Sequence, residues 1–132
     1  MKGVLLDTHV WLWMGLAPER LGRKTRALLE DPENDLALSV ASAWEIILKY
    51  RRGKLELPME APEYIRTRLR RSGASMLAIA LDHVLALASL DERHRDPFDR
   101  ILVAQALSES RSLVTADPRL LDYPILTFDA RT

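Results

Sequence analysis

Short apolar runs alternate with stretches of helical periodicity along this chain, and that alternation restricts the fold more than any other feature. Residues 2–6, 36–39, 76–80, 112–115 and 125–128 each read as a short buried strand. Between the first two, a helix is expected from Thr8 to just before Pro18 and a polar one over 23–30, ending at Asp31-Pro32. Val40, Ala43, Trp44, Ile47 and Leu48 fall at offsets 0, 3, 4, 7 and 8, which predicts the inward stripe of a helix that closes at Arg52-Gly53. Residues 62–71 predict another, with Tyr64, Ile65 and Leu69 inward and Ser72-Gly73 ending it. Asp82 is expected to cap a helix through Leu90, Asp96-Pro97 to open one through Ser110, and Pro118 to begin a helical turn. Strands separated by helices imply a mostly parallel sheet of about five strands covered on both faces, an α/β/α sandwich. A length of 132 residues predicts one domain, 1–132.

Four acids recur in one setting within that frame. Asp7 ends the first strand and Asp117 follows the fourth, while Glu45 and Asp99 are expected in the first turns of two helices. Residues just past the carboxyl ends of parallel strands gather on one edge of the sheet, where ligands bind. Each acid also has a local explanation. Asp7 and Asp117 can cap helices, Ser42-Ala43-Trp44-Glu45 has capping-box spacing, Glu45 can pair with Lys49, and Asp99 sits three residues after a capping Asp96. Capping alone, however, is served equally well by Ser or Thr. Four carboxylates on one edge repel one another unless a cation sits among them. An all-carboxylate set suits Mg²⁺ or Mn²⁺ rather than zinc or copper, and such ions serve phosphoryl chemistry.

Composition narrows the classes further. Nineteen basic residues balance nineteen acidic ones, so the chain is not a bulk basic coat for nucleic acid. The absence of cysteine removes disulfide scaffolds, thiol catalysis and Cys-ligated zinc, and fits a reducing cytoplasm. The longest stretch free of Asp, Glu, Lys and Arg is the eleven residues 8–18, against the roughly 20 that a membrane helix requires. Asp7 interrupts the apolar run that a signal peptide would need, so a cytoplasmic location without membrane attachment is expected.

The residues around the acids carry a resemblance. Leu5-Leu6-Asp7-Thr8-His9-Val10-Trp11-Leu12-Trp13 resembles the opening of PIN-domain proteins, specifically the VapC-type ribonuclease toxins of toxin–antitoxin systems. Ser42-Ala43-Trp44-Glu45-Ile46 resembles their second acidic motif, and the segment from His94-Arg95-Asp96-Pro97-Phe98-Asp99 to Gln105-Ala106 their third. Val114-Thr115-Ala116-Asp117 resembles the fourth, so the motifs occur in order over nearly the whole chain. The resemblance implies a PIN fold, a Mg²⁺ or Mn²⁺ site formed by Asp7, Glu45, Asp99 and Asp117, and endoribonuclease activity on RNA. It also implies a homodimer and inhibition by a VapB-type antitoxin.

Other residues read more plainly. Asp96, a second acid within one turn of Asp99, reads first as a cap and second as a contact to the metal. Thr8 and Thr115 flank the site acids and can position a carboxylate or water, besides bonding their own turns. His9, His83 and His94 are spread along the chain, which argues against a metal or triad role, with His94 the best placed to meet a phosphate. Arg66, Arg68, Arg70 and Arg71 read as a solvated helix face. Trp11, Trp13 and Trp44 read as core or dimer interface, and the first helix carries enough apolar surface to suggest that a partner covers part of it. The competing reading is a non-catalytic or phosphoreceiver-like Mg²⁺-binding signalling domain. It lacks support, because the third strand supplies no acid before Asp82 and no Lys follows Lys54.

Overall fold

A computed structural model describes residues 3–92 and 94–132 of the chain. Five parallel strands form one sheet in the order β3-β2-β1-β4-β5: β1 (Gly3–Leu6), β2 (Asp35–Ser39), β3 (Ser75–Leu77), β4 (Ser112–Thr115) and β5 (Thr127–Asp129). The longer helices are α1 (Thr8–Leu16), α2 (Arg23–Glu30), α3 (Val40–Arg51), α4 (Ala61–Ser72) and α6 (Pro97–Ser108). Two short ones, α5 (Leu81–Ala86) and α7 (Pro118–Leu121), complete the set. The expected sandwich is what the chain forms, with Lys2 of the first expected strand lying outside the described residues.

Alternation along β1 explains the layering, because successive side chains of a strand point to opposite faces. Val4 and Leu6 join Val10, Trp11, Ile46, Tyr64 and Ile65 in a core beneath α1, α3 and α4. Leu5 turns the other way, toward Leu102, Val103 and Ala106 of α6 and Leu120 of α7. Full burial of each such aliphatic side chain contributes about 1.5–3 kcal/mol.

The strand order has a consequence for the site. The chain runs outward from β1 to β2 and β3, then returns to lay β4 on the other side of β1. The reversal opens a crevice at the carboxyl ends of β1 and β4, the position at which open parallel sheets bind ligands.

Several local expectations are corrected. The inward face of α3 is Ala41, Ser42, Glu45 and Ile46, whereas Val40 and Trp44 of the expected stripe are exposed, Trp44 by 59%. Trp44 meets Phe98 edge-on at 5.0 Å instead of entering the core. Ser39, not Ser42, caps α3 by accepting from Ala41 N at 3.0 Å, which places Glu45 in the second turn and removes the capping box. Asp82 does not cap α5, which follows Ala80. The Ala80 N–H is taken instead by Nδ1 of His83 at 2.9 Å. The third strand ends at Leu77, the fifth begins two residues late at Thr127, and α6 stops at Ser108. Gly53 (φ 71°) and Gly73 (φ 74°) follow α3 and α4 in the left-handed conformation that ends a helix without a side-chain clash.

The apolar surface expected on α1 is largely spent internally, since Val10, Trp11 and Leu12 are buried and Leu16 alone among its large apolar side chains is exposed. Exposed apolar side chains gather on α5, where Leu81 and Leu85 are 70% and 60% exposed and Val84 lies between them, with others elsewhere at Trp44, Leu107 and Leu126.

Candidate active site

Asp7, Glu45, Asp99 and Asp117 line one cavity of about 180 Å³, together with Asp96, Thr8, His9, Leu12, Lys49 and Arg119. Two of the acids come from the crevice itself, Asp7 at the end of β1 and Asp117 just beyond β4. The other two project from α3 and from the first turn of α6. A larger open depression of about 630 Å³, bordered by Lys24, Leu28 and Phe128, lies elsewhere, and the acids on its rim are Asp31 and Glu33, not the four of the crevice.

Asp7 is the most enclosed of the four. Its Oδ1 accepts from the adjoining Thr8 N at 2.8 Å and its Oδ2 from the Thr115 hydroxyl at 2.6 Å. Neither is the N2 or N3 backbone donor that a helix-capping carboxylate normally takes. His9 Nδ1 stands 3.4 Å from the same Oδ2, while its Nε2 accepts from Ala116 N at 3.2 Å. In the neutral ring that acceptor role leaves the proton on Nδ1, facing Asp7. Burial, reinforced by the Glu45 charge, raises the Asp7 pKa above the usual carboxylate range despite the opposing influence of His9, Thr115 and Thr8.

Asp99 is anchored by a histidine. His94 Nε2 lies 2.6 Å from Asp99 Oδ2, and both residues are buried. Burial and the charges of Asp7 and Asp96 push Asp99 up to about 7, against the lowering effect of His94. Potential ligand atoms of His94, Asp99 and Asp117 all lie within 4.8 Å of one another. The spread of the histidines along the chain argues against a role beside the acids, yet the fold brings His94 against Asp99 and His9 against Asp7. The five-residue spacing from His94 to Asp99 was the available signal, but it does not have the one-turn periodicity that marks neighbours on a helix.

Glu45 carries the least satisfied group of the set. Its Oε2 pairs with Lys49 Nζ at 2.8 Å, as the one-turn spacing suggests, but its Oε1 is buried with no hydrogen-bond partner among the described residues. An orphaned carboxylate oxygen is costly unless a cation or donor reaches it. Asp117 is a true cap, accepting from Arg119 N at 2.9 Å, and the Arg119 guanidinium also reaches it at 3.1 and 3.3 Å. Burial works to raise the Asp117 pKa, yet these Arg119 hydrogen bonds and charge outweigh it and hold the carboxyl below its ordinary value. Asp96 accepts from Phe98 N at 2.9 Å and Asp99 N at 3.3 Å, the capping role expected of it, although it also borders the cavity.

Two threonines tie the elements together. Thr8 donates to Ser42 at 2.8 Å, fixing α1 against α3, and Thr115 accepts from Asp117 N at 3.0 Å while donating to Asp7. The donor set, crowded, oxygen-rich and partly unsatisfied, fits a hard divalent cation.

Comparisons with known proteins bear on the fold and on kinship. The sequence model of the PIN domain family matches residues 4–126. Ribonuclease VapC16 of Mycobacterium tuberculosis is 47% identical over 60 residues, which span 46% of this chain and 41% of that protein. Ribonuclease VapC22 of the same organism is 29% identical over 130 residues, 93% of each chain. Among solved structures, FitAcB from Neisseria gonorrhoeae has a TM-score of 0.68 at 20% identity, covering 96% of this chain and 97% of that one. VapBC2 from Rickettsia felis, bound to a DNA fragment from its promoter, has a TM-score of 0.68 at 16% identity over 95% and 96%. At these identities the solved structures speak for the fold.

Proposed function

Because the chain belongs to the PIN domain family, we propose that it is a VapC-type, metal-dependent endoribonuclease whose active site is the cavity lined by Asp7, Glu45, Asp99 and Asp117. The observation that carries this reading is the convergence of those four carboxylates on one small cavity, with Glu45 Oε1 buried and bare. Asp7, Glu45, Asp99 and Asp117 would hold Mg²⁺ or Mn²⁺, which supplies Lewis acidity and counter-charge at a phosphodiester. In the hydrolysis itself, a water oxygen bonds to phosphorus, one P–O ester bond breaks, and the departing ribose oxygen gains a proton.

The protein's part is to hold its carboxylates ready. Thr115 and Thr8 N fix both oxygens of Asp7, and His94 fixes one oxygen of Asp99, so little reorganisation remains when the charge changes. Thr115 also holds the backbone of Asp117, which couples the ends of β1 and β4 in one hydrogen-bonded unit. Leu12 supplies an apolar wall to the cavity.

The reading extends to partners. A VapB-type antitoxin and a second copy of the chain are its proposed protein partners. Several of the similar solved structures are toxin–antitoxin complexes, among them one from Klebsiella pneumoniae. No helix among the described residues is long and apolar enough to cross a membrane, in keeping with the proposed cytoplasmic location. The test is cleavage of single-stranded RNA by the purified chain in Mg²⁺ or Mn²⁺, with EDTA as control. Full cleavage in EDTA with trace metal excluded would sink the metal mechanism, and no cleavage of total cellular RNA under any divalent ion would sink the enzyme.

A further inference from the structure

An acid-lined cavity poses a problem for an anionic substrate. Five carboxylates border it, and a single divalent ion offsets only part of their charge. Among the described residues that line the cavity, the fixed cations are Lys49 and Arg119. Each is already engaged: Lys49 Nζ lies 2.8 Å from Glu45 Oε2, and Arg119 lies 3.1 Å from Asp117 Oδ2. Their carboxylate partners are largely buried, while the Lys49 and Arg119 side chains are 51% and 65% exposed. One comes from α3 and the other from α7, so they reach the cavity from different elements.

We propose that Lys49 and Arg119 are counter-ions that exchange partners. They neutralise Glu45 and Asp117 in the metal-free protein, and they pass to RNA phosphates flanking the scissile bond once a divalent ion takes up those carboxylates. The inference rests on the ribonuclease reading above. A divalent ion on Glu45 repels an ammonium 2.8 Å from the same carboxylate, and the flexible Lys49 stem lets it swing toward solvent. Arg119 presents a planar fork suited to two phosphate oxygens.

The test uses Lys49→Gln, Arg119→Gln and the charge-preserving Lys49→Arg in the full chain. Mn²⁺ binding is read by calorimetry without RNA. Binding of a fluorescein-labelled, mixed-sequence single-stranded RNA is read by anisotropy across a salt series, with Ca²⁺ in place of Mn²⁺ so that the probe survives. Each Gln variant should bind Mn²⁺ at least as tightly as the parent, because a competing cation is gone. Each should weaken RNA binding about three- to tenfold at low salt and flatten the plot of log affinity against log salt by about 0.7, the value of one phosphate contact on a single strand. Lys49→Arg should restore both. Unchanged RNA affinity and slope with intact Mn²⁺ binding overturn the exchange, as does weaker Mn²⁺ binding by Lys49→Gln. A parent chain that cleaves RNA while both Gln variants behave like it overturns the exchange alone. A parent that binds Mn²⁺ yet neither retains nor cleaves RNA overturns the ribonuclease reading with it.

Discussion

Thr115 donates its hydroxyl to Oδ2 of Asp7 at 2.6 Å, joining two residues 108 positions apart at the ends of neighbouring strands. The Thr115 hydroxyl oxygen in turn accepts from Asp117 N at 3.0 Å, so one buried hydroxyl serves two of the four acids. Thr115→Val keeps the shape and removes both bonds, leaving a buried carboxylate oxygen short of a donor at a cost of about 1–3 kcal/mol. The variant should melt lower, bind Mn²⁺ more weakly and cleave RNA about tenfold more slowly, whereas Thr115→Ser should recover most of each. Parent-like cleavage by Thr115→Val would mean that the orientation of Asp7 is fixed elsewhere.

Capping and metal binding can be separated at the acids themselves. Asn caps a helix about as well as Asp, so Asp96→Asn should leave folding and most activity intact. Asp7→Asn, Glu45→Gln and Asp99→Asn should fold, lose nearly all cleavage, and melt at the same temperature or higher without metal, because each removes a charge from a crowded site. Asp117→Asn should be milder, since Arg119 already balances that carboxylate. Thermal melts with and without Mn²⁺ beside a cleavage assay decide the matter. Parent-like cleavage by Asp7→Asn or Asp99→Asn would return the acids to a capping role.

Much of this fold was legible because strand–helix alternation is a coarse, repeated signal, and the caps at Asp96 and Asp117 are written locally in Asp-Pro pairs. The face of α3 was not legible. A search for an apolar stripe selects Val40 and Trp44, but the inward positions are held by Ser42 and Glu45, which bond Thr8 and border the cavity. Where a helix turns polar groups inward, hydrophobic periodicity points to the wrong side. The start of α5 was not legible for a related reason, since no side chain caps it and a histidine ring within its first turn takes the N–H of Ala80 instead. The place of His94 is not legible either, because its contact with Asp99 forms from the non-helical segment leading into α6, where helical spacing does not apply.

That contact makes its own prediction. His94→Gln removes the ring nitrogen 2.6 Å from Asp99 Oδ2 and with it an influence that lowers the Asp99 pKa. Asp99 should then hold its proton to higher pH, and Mn²⁺ affinity should fall more at pH 6.5 than at pH 8.5. An equal loss at both pH values would show that His94 does not act through the Asp99 proton.

The parent chain should show the same linkage directly. Asp99 stands at about 7 in the folded protein against 3.8 for an ordinary aspartate, because of burial and the neighbouring charges of Asp7 and Asp96. A carboxyl raised in this way binds its proton more tightly folded than unfolded. Its contribution to metal-free stability is therefore full below pH 4 and is lost as the pH climbs from about 4 to about 7, and Asp7 acts in the same direction. A divalent ion needs the ionised form, so binding must expel the proton that the empty site retains. Mn²⁺ affinity should rise by up to about tenfold per pH unit for one displaced proton between pH 5 and pH 7, then level off above Asp99's midpoint. Calorimetry in buffers of different ionisation enthalpy counts those protons. Affinity that stays flat from pH 5 to pH 8, with no proton released on binding, would remove Asp99 from the ion's ligands.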